Sequence, residues 1–169
     1  MKKQPFLFLL ITAIAVAVLA GCMKKPSYPD VPAISFLNLD LTYDTAGYVR
    51  TGLLSISYQD GNGDIGLNAG DTFDPFQKNG PYYYNYVINY FEKQNGVFKQ
   101  VDLLIPFSVR IPVLTPDDPN KAISGIINNT LGLYPPLLYD TIRFEVFIYD
   151  RARHKSNVVT TPEIILRRK

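Results

Sequence analysis

The chain has 169 residues, 47% apolar and 19% charged, with one cysteine, one histidine, no tryptophan and a formal charge of +2. A single histidine and a single cysteine leave little for a zinc site, whose ligands are chiefly nitrogen and sulfur, or for an activated Ser-His or Cys-His nucleophile. Near-neutral charge offers no basic stripe, which excludes nucleic acid as a partner.

The N-terminus comes first. Lys2 and Lys3 precede the apolar run Phe6 to Ala20, which ends in the sequence LAGC at Leu19 to Cys22. A membrane-spanning helix needs about 20 apolar residues; a shorter run behind a basic start reads as a secretory signal. Small residues before the lone cysteine resemble a bacterial lipobox, which implies signal removal over 1–21 and acylation of Cys22 as the first mature residue. Stable anchoring takes at least two lipid signals, and the bacterial modification implied here adds several acyl chains. The loss of Lys2 and Lys3 leaves 15 basic residues against 15 acidic ones. Residues 22–33, with prolines at 26, 29 and 32, read as an extended stalk.

Residues 34–169 are long enough for one domain without disulfides. Eight segments rich in Ile, Val, Tyr and Phe, bounded by Gly, Pro, Asn and Asp, predict strands at 34–43, 52–58, 82–93, 97–104, 107–114, 122–128, 141–149 and 158–166. Leu37, Leu39, Leu41 and Tyr43 alternate with polar residues in the first, and Leu54, Ile56 and Tyr58 in the second. Ile142, Phe144, Val146 and Ile148 set the buried face of the segment TIRFEVFIY, opposite Thr141, Arg143, Glu145 and Phe147. Asn95-Gly96 marks a type I′ hairpin between the third and fourth strands. These strands predict an all-β, two-sheet antiparallel sandwich of the immunoglobulin or fibronectin III kind, with a small barrel as the other closed solution.

The segment YQDGNGDIGLNAGD between the second and third strands places oxygen side chains among glycines. With Asp60 as position 1, Asn62, Asp64, Asn68 and Asp71 fall at 3, 5, 9 and 12 of an EF-hand-like calcium loop, with the Gly66 carbonyl at 7. Ile65 stands where that loop needs glycine, so Gly63 or Gly66 would have to take the bend. The competing reading is a set of Asx turns joining two strands.

In PYYYNYVINYFEK, strand alternation puts Tyr82, Tyr84, Tyr86 and Tyr90 on one face. That face would stack on a sugar or seat a partner protein, or else complete the core. The hairpin DRARHKSN, Asp150 to Asn157, carries Arg151, Arg153, His154 and Lys155 as either an anion grip or a solvated turn. Carboxylate-only chemistry of the glycosidase type needs only two acids, but no other catalytic motif accompanies them.

The stretches SYQDGNGDIGL and TIRFEVFIYDRARHKSNVVTTPEI resemble a group of uncharacterised lipoproteins of Gram-negative bacteria that share a D-G-x-G-D-I-G-L loop and a Y-D-R-x-x-x-K-S-N ending. The resemblance implies an immunoglobulin-like sandwich in the cell envelope, anchored to the outer membrane and facing periplasm or medium. The expected function is a non-catalytic binding or assembly module, held in the membrane by lipid on Cys22 and meeting an envelope protein or polysaccharide; a purely structural role within one envelope assembly is its near neighbour. The alternative is a carbohydrate-binding or carbohydrate-active protein using the Tyr82 to Tyr90 face. Calcium is the one cofactor the residues suggest.

Overall fold

The computed structural model describes residues 27–114, 121–133 and 139–166. Cys22, the expected lipidation site, and the expected signal segment at 1–21 lie outside the described residues. Within them the chain forms β1 (Ala33–Tyr43), β2 (Val49–Asp60), β3 (Tyr86–Gln94), β4 (Val97–Gln100), β5 (Ile123–Gly132), β6 (Thr141–Ile148), β7 (Val159–Thr160) and β8 (Ile164–Ile165). One sheet runs β1-β2-β5, and the other runs β4-β3-β6 with β7 and β8 both on the far edge of β6; every strand pairing is antiparallel. The architecture is the predicted two-sheet sandwich.

Alternation builds the core. Leu54 and Ile56 of β2, Leu131 of β5, Tyr86, Ile88 and Tyr90 of β3, and Ile142, Phe144, Val146 and Ile148 of β6 meet between the sheets. Phe144 and Tyr90 also meet Phe107 as tilted and edge-on rings. Phe147, expected on the wet face, is buried by Lys155 above its ring and Tyr149 at its edge.

Four expectations need correction. In β1 a bulge between Phe36 and Asn38 switches the inward positions from Ile34 and Phe36 to Leu39 and Leu41, so Leu37 points to solvent; a bulge adds one residue and so inverts parity. β3 begins at Tyr86, and 82–85 are irregular. The expected strands at 97–104 and 107–114 shrink to β4 and isolated pairings at Val109 and Pro112, because Pro106 and Pro112 have no N–H to give a ladder. The segment expected at 158–166 is split into β7 and β8 by Pro162. The hairpin turn stands as expected, with Asn95 and Gly96 both at positive φ.

Where strand bonding stops, side chains continue it. The Asn85 side chain accepts from the Ile111 N–H at 2.6 Å and donates to its carbonyl at 3.1 Å. Asn157 treats Ile34 the same way, both bonds at 2.8 Å. On the β6 edge, the Ser156 hydroxyl accepts from the Ile148 N–H and the Thr161 hydroxyl from the Phe144 N–H, each at 3.0 Å. Buried backbone groups are thereby paired without a regular strand.

The pairings fix which loops share an end. Ala33 opposes Gln59, Asp60 opposes Ile123 and Tyr86 opposes Ile148. One pole therefore collects the entering chain at Tyr28, the loop after β2 and the hairpin after β6. The other carries the turns at 44–48 and 95–96. The expected stalk is docked at its near end: the Gly61 N–H donates to the Pro29 carbonyl at 2.8 Å, and a Cβ on Gly61 would lie 2.2 Å from the Tyr28 carbonyl oxygen.

Truncation of Phe144, fully buried in β6, is expected to cost about 3–5 kcal/mol. Arg143 lies over the rings of Phe91 and Phe98 on the outer face, so Arg143→Ala should cost only about 0.5–1 kcal/mol. Urea denaturation of both variants checks the pair; equal losses would show that the two faces of β6 are assigned wrongly.

Candidate functional site

Strand parity carries a charge inward. Positions 54, 56, 58 and 60 of β2 share the core side, so the alternation that buries Leu54 and Ile56 also buries Asp60 with no exposed surface. The loop that follows turns sharply, with positive φ at Gly63 and Gly66. Glycine takes both bends, which leaves Ile65 free to be a fully buried core residue. A Cβ at Gly66 would lie 2.3 Å from the Pro112 carbonyl oxygen. The loop is thus pressed against 111–114, with the Leu67 N–H donating to Ile111 and the Leu114 N–H to Ile65.

The acid that joins Asp60 and Asp64 is Asp150, just past the end of β6. Both oxygens of Asp60 and Oδ1 of Asp64 are buried without a hydrogen-bond partner. Asp64 Oδ2 accepts from the Ala152 N–H at 3.1 Å, and its carbonyl accepts from the Arg151 N–H at 3.0 Å. Asp150 is buried and holds His154 twice, accepting from its backbone N–H at 2.7 Å and pairing with Nδ1 at 2.8 Å. Burial, then the neighbouring charge of Asp64, push the Asp60 carboxyl up to about 6, although the amides of Asp64 and Ile65 work against this. Burial and Asp150 raise Asp64 as well.

The EF-hand-like spacing is not realised as one ring of ligands. Asp71 forms a two-pronged ion pair with Arg151 and accepts from the Asn68 N–H at 2.7 Å; the guanidinium holds its carboxyl below the usual range. Asn68 is exposed, and its carbonyl accepts from Arg110 at 3.3 Å. Asp60, Asn62 and Asp64 stay at the first turn, where Asn62 Oδ1 accepts from the Asp64 N–H at 3.4 Å. Among the described residues no three acid, histidine or cysteine side chains converge closely enough to hold an ion by themselves. An ion at this pole therefore needs amide or carbonyl oxygens in addition.

The tyrosine face is divided. Tyr86 and Tyr90 are core residues, and Tyr90 donates its hydroxyl to the buried Glu92 at 3.0 Å. Tyr82 meets Tyr149 edge-on and Tyr84 meets Tyr83 edge-on. Of the two readings of this face, completion of the core holds for Tyr86 and Tyr90, while Tyr82 and Tyr84 precede the strand and do not continue its face. The Tyr86 hydroxyl is buried without a partner, beside an open groove of about 410 Å³ between 109–114 and β5.

Two positions that the sequence left unmarked organise this end. Arg110 donates to the carbonyls of Asn68, Asp71, Phe76 and Tyr83 and lies over the Tyr83 ring, which ties down the long connection before β3. Asp150 stood in DRARHKSN, but the sequence reading of that hairpin, an anion grip or a solvated turn, rested on Arg151, Arg153, His154 and Lys155 and gave Asp150 no part. In the fold Arg151 serves Asp71, His154 serves Asp150 and Lys155 covers Phe147.

The sign of the Asp60 shift makes a measurable statement. The fold holds this proton to higher pH than the unfolded chain does, so the contribution of Asp60 is most favourable below its ordinary value of 3.8 and is lost as pH rises through about 6. With chelator present, Asp60→Asn is expected to be more stable than the parent near neutral pH, the gap narrowing towards about pH 4. Denaturation across that range checks it, and a pH-independent gap would contradict it.

Compared with known proteins, the chain matches no family model, and no curated relative or solved structure is similar to it.

Proposed function

We propose that the protein is a lipid-anchored lipoprotein of the bacterial outer membrane, whose sandwich, of immunoglobulin or fibronectin III type, acts as a non-catalytic binding or assembly module. Support for the anchor comes from LAGC at Leu19 to Cys22 behind a short apolar run. The observation that carries the module reading is the docking of Tyr28 and Pro29 against Gly61. An anchor at Cys22 would hold the domain by the pole that contains the 60–67 loop and the 150–157 hairpin. The pole with the 44–48 and 95–96 turns would then face away from the lipid, towards a partner.

A protein partner is favoured over polysaccharide. A sugar platform needs open ring faces, and of the four tyrosines Tyr86 and Tyr90 are buried while Tyr82 and Tyr84 meet other rings edge-on. The rings that do lie on the outer sheet face, Phe91 and Phe98, are covered by Arg143 and Lys93.

Mass spectrometry of the protein from its own membranes is expected to find a chain starting at Cys22 with added acyl mass, and Cys22→Ser should leave it unlipidated. Recovery of an intact Met1 from wild-type cells would refute the anchor. Capture of the lipidated protein should bring down one stoichiometric protein; retention on envelope polysaccharide that fails in Tyr82→Ala would favour the carbohydrate alternative.

A further inference from the structure

We propose that the turn Asp60 to Asp64 binds one calcium ion, held by the Asp60 and Asp64 carboxylates and the Asn62 side-chain oxygen, and that this ion fastens the β6 hairpin and the entering chain to the end of the sandwich. The inference does not depend on the lipid anchor.

Three carboxylate oxygens, both of Asp60 and one of Asp64, are buried at one turn without a hydrogen bond of ordinary geometry, the Asp64 and Ile65 amides only leaning towards Asp60. Buried carboxylates are ordinarily paired, hydrogen-bonded or metal-bound, since an uncompensated buried charge is strongly unfavourable. Among the described residues no cation pairs with these carboxylates directly, although the charges of His154 and Arg151 reach Asp64. Neither Asp60 nor Asp64 has an ion-pair partner among the described residues; Arg151 turns its fork to Asp71, and His154 is held by Asp150. The third acid, Asp150, is itself buried and adds negative charge without freeing an oxygen from His154.

The residues also fit the ion chemically. Asp60, Asn62 and Asp64 give an oxygen at every second position, with Gly61 and Gly63 between them and the backbone curled by positive φ at Gly63. Short oxygen side chains and nearby carbonyls suit calcium, which accepts six to eight oxygens in a flexible arrangement. Magnesium is the poorer fit, because it keeps several of its waters and Asp60 is closed to solvent.

The ion would act on three segments. Asp64 already takes the N–H groups of Arg151 and Ala152 from the hairpin, and Gly61 takes Pro29 of the entering chain. With the charge neutralised, the segments at this pole lose the repulsion between acids that strains it. Calcium would thereby set how rigidly the domain stands on its N-terminal segment.

The test uses the full mature chain in detergent, melted in chelator or in calcium, together with terbium luminescence sensitised by the protein's tyrosines; Tyr58 lies on the same strand and feels the Asp60 charge. Extracellular calcium sites bind with a dissociation constant on the order of 10⁻⁴–10⁻³ M. At about 100 times that value the midpoint should rise by roughly 5 °C or more. Terbium luminescence should appear and be displaced by calcium. Asp60→Asn should abolish both effects, and Asp64→Asn, read in the same way, covers a failure of the first variant to fold. Asn68→Ala, at a position of the longer EF-hand-like spacing that lies away from this turn, should retain both. An unchanged midpoint without luminescence overturns the proposal, as does a calcium shift that survives Asp60→Asn or Asp64→Asn.

Discussion

Every backbone N–H and C=O that the sandwich buries must find a partner, and this chain meets that constraint with side chains where its strands give out. Asn85 bonds both backbone groups of Ile111, and Asn157 both of Ile34. The second of these ties the edge of the three-stranded sheet to the chain leaving β6, so it closes the sandwich as well as satisfying an edge. Ser156 and Thr161 take the place of backbone acceptors along β6. An unmade bond of this kind costs about 1–3 kcal/mol, which explains why segments interrupted by Pro106, Pro112 and Pro162 can still pack as though they were strands.

The same constraint shapes the charged pole. Backbone N–H groups of the hairpin after β6 end on Asp64, and Arg110 gathers four carbonyls from the connection before β3. Loops at this end are thus held by polar groups rather than by apolar contacts alone, apart from Ile65 and Leu67, which plug the core. Such an end is well defined yet electrostatically tense, because it brings Asp60, Asp64 and Asp150 into one another's fields. The opposite pole has no comparable arrangement among the described residues: its turns at 44–48 and 95–96 rest on local bonds to Asp44 and on the positive φ of Asn95 and Gly96.

Local rules made the class, the parity of β2 and β6 and the Asn95-Gly96 turn legible from sequence, because each depends on a period of two or on the φ preference of one or two residues. The burial of Asp60 was legible in the same way, as the next inward position after Leu54, Ile56 and Tyr58. The β1 bulge was written in the change from even to odd apolar positions between Phe36 and Leu39. What sequence spacing could not decide was which oxygens share a site: Asp71 lies eleven positions from Asp60 in a calcium-loop register, yet it belongs to Arg151, while Asp150, far along the chain, faces Asp60 and Asp64. Nor could alternation tell that the tyrosine run becomes a strand only at Tyr86, since that depends on where β6 offers a partner. Periodicity reports which way a side chain points along its own strand; which groups meet across loops is set by sheet pairing and by the polar groups that must be satisfied between them, and only the tertiary structure decides that.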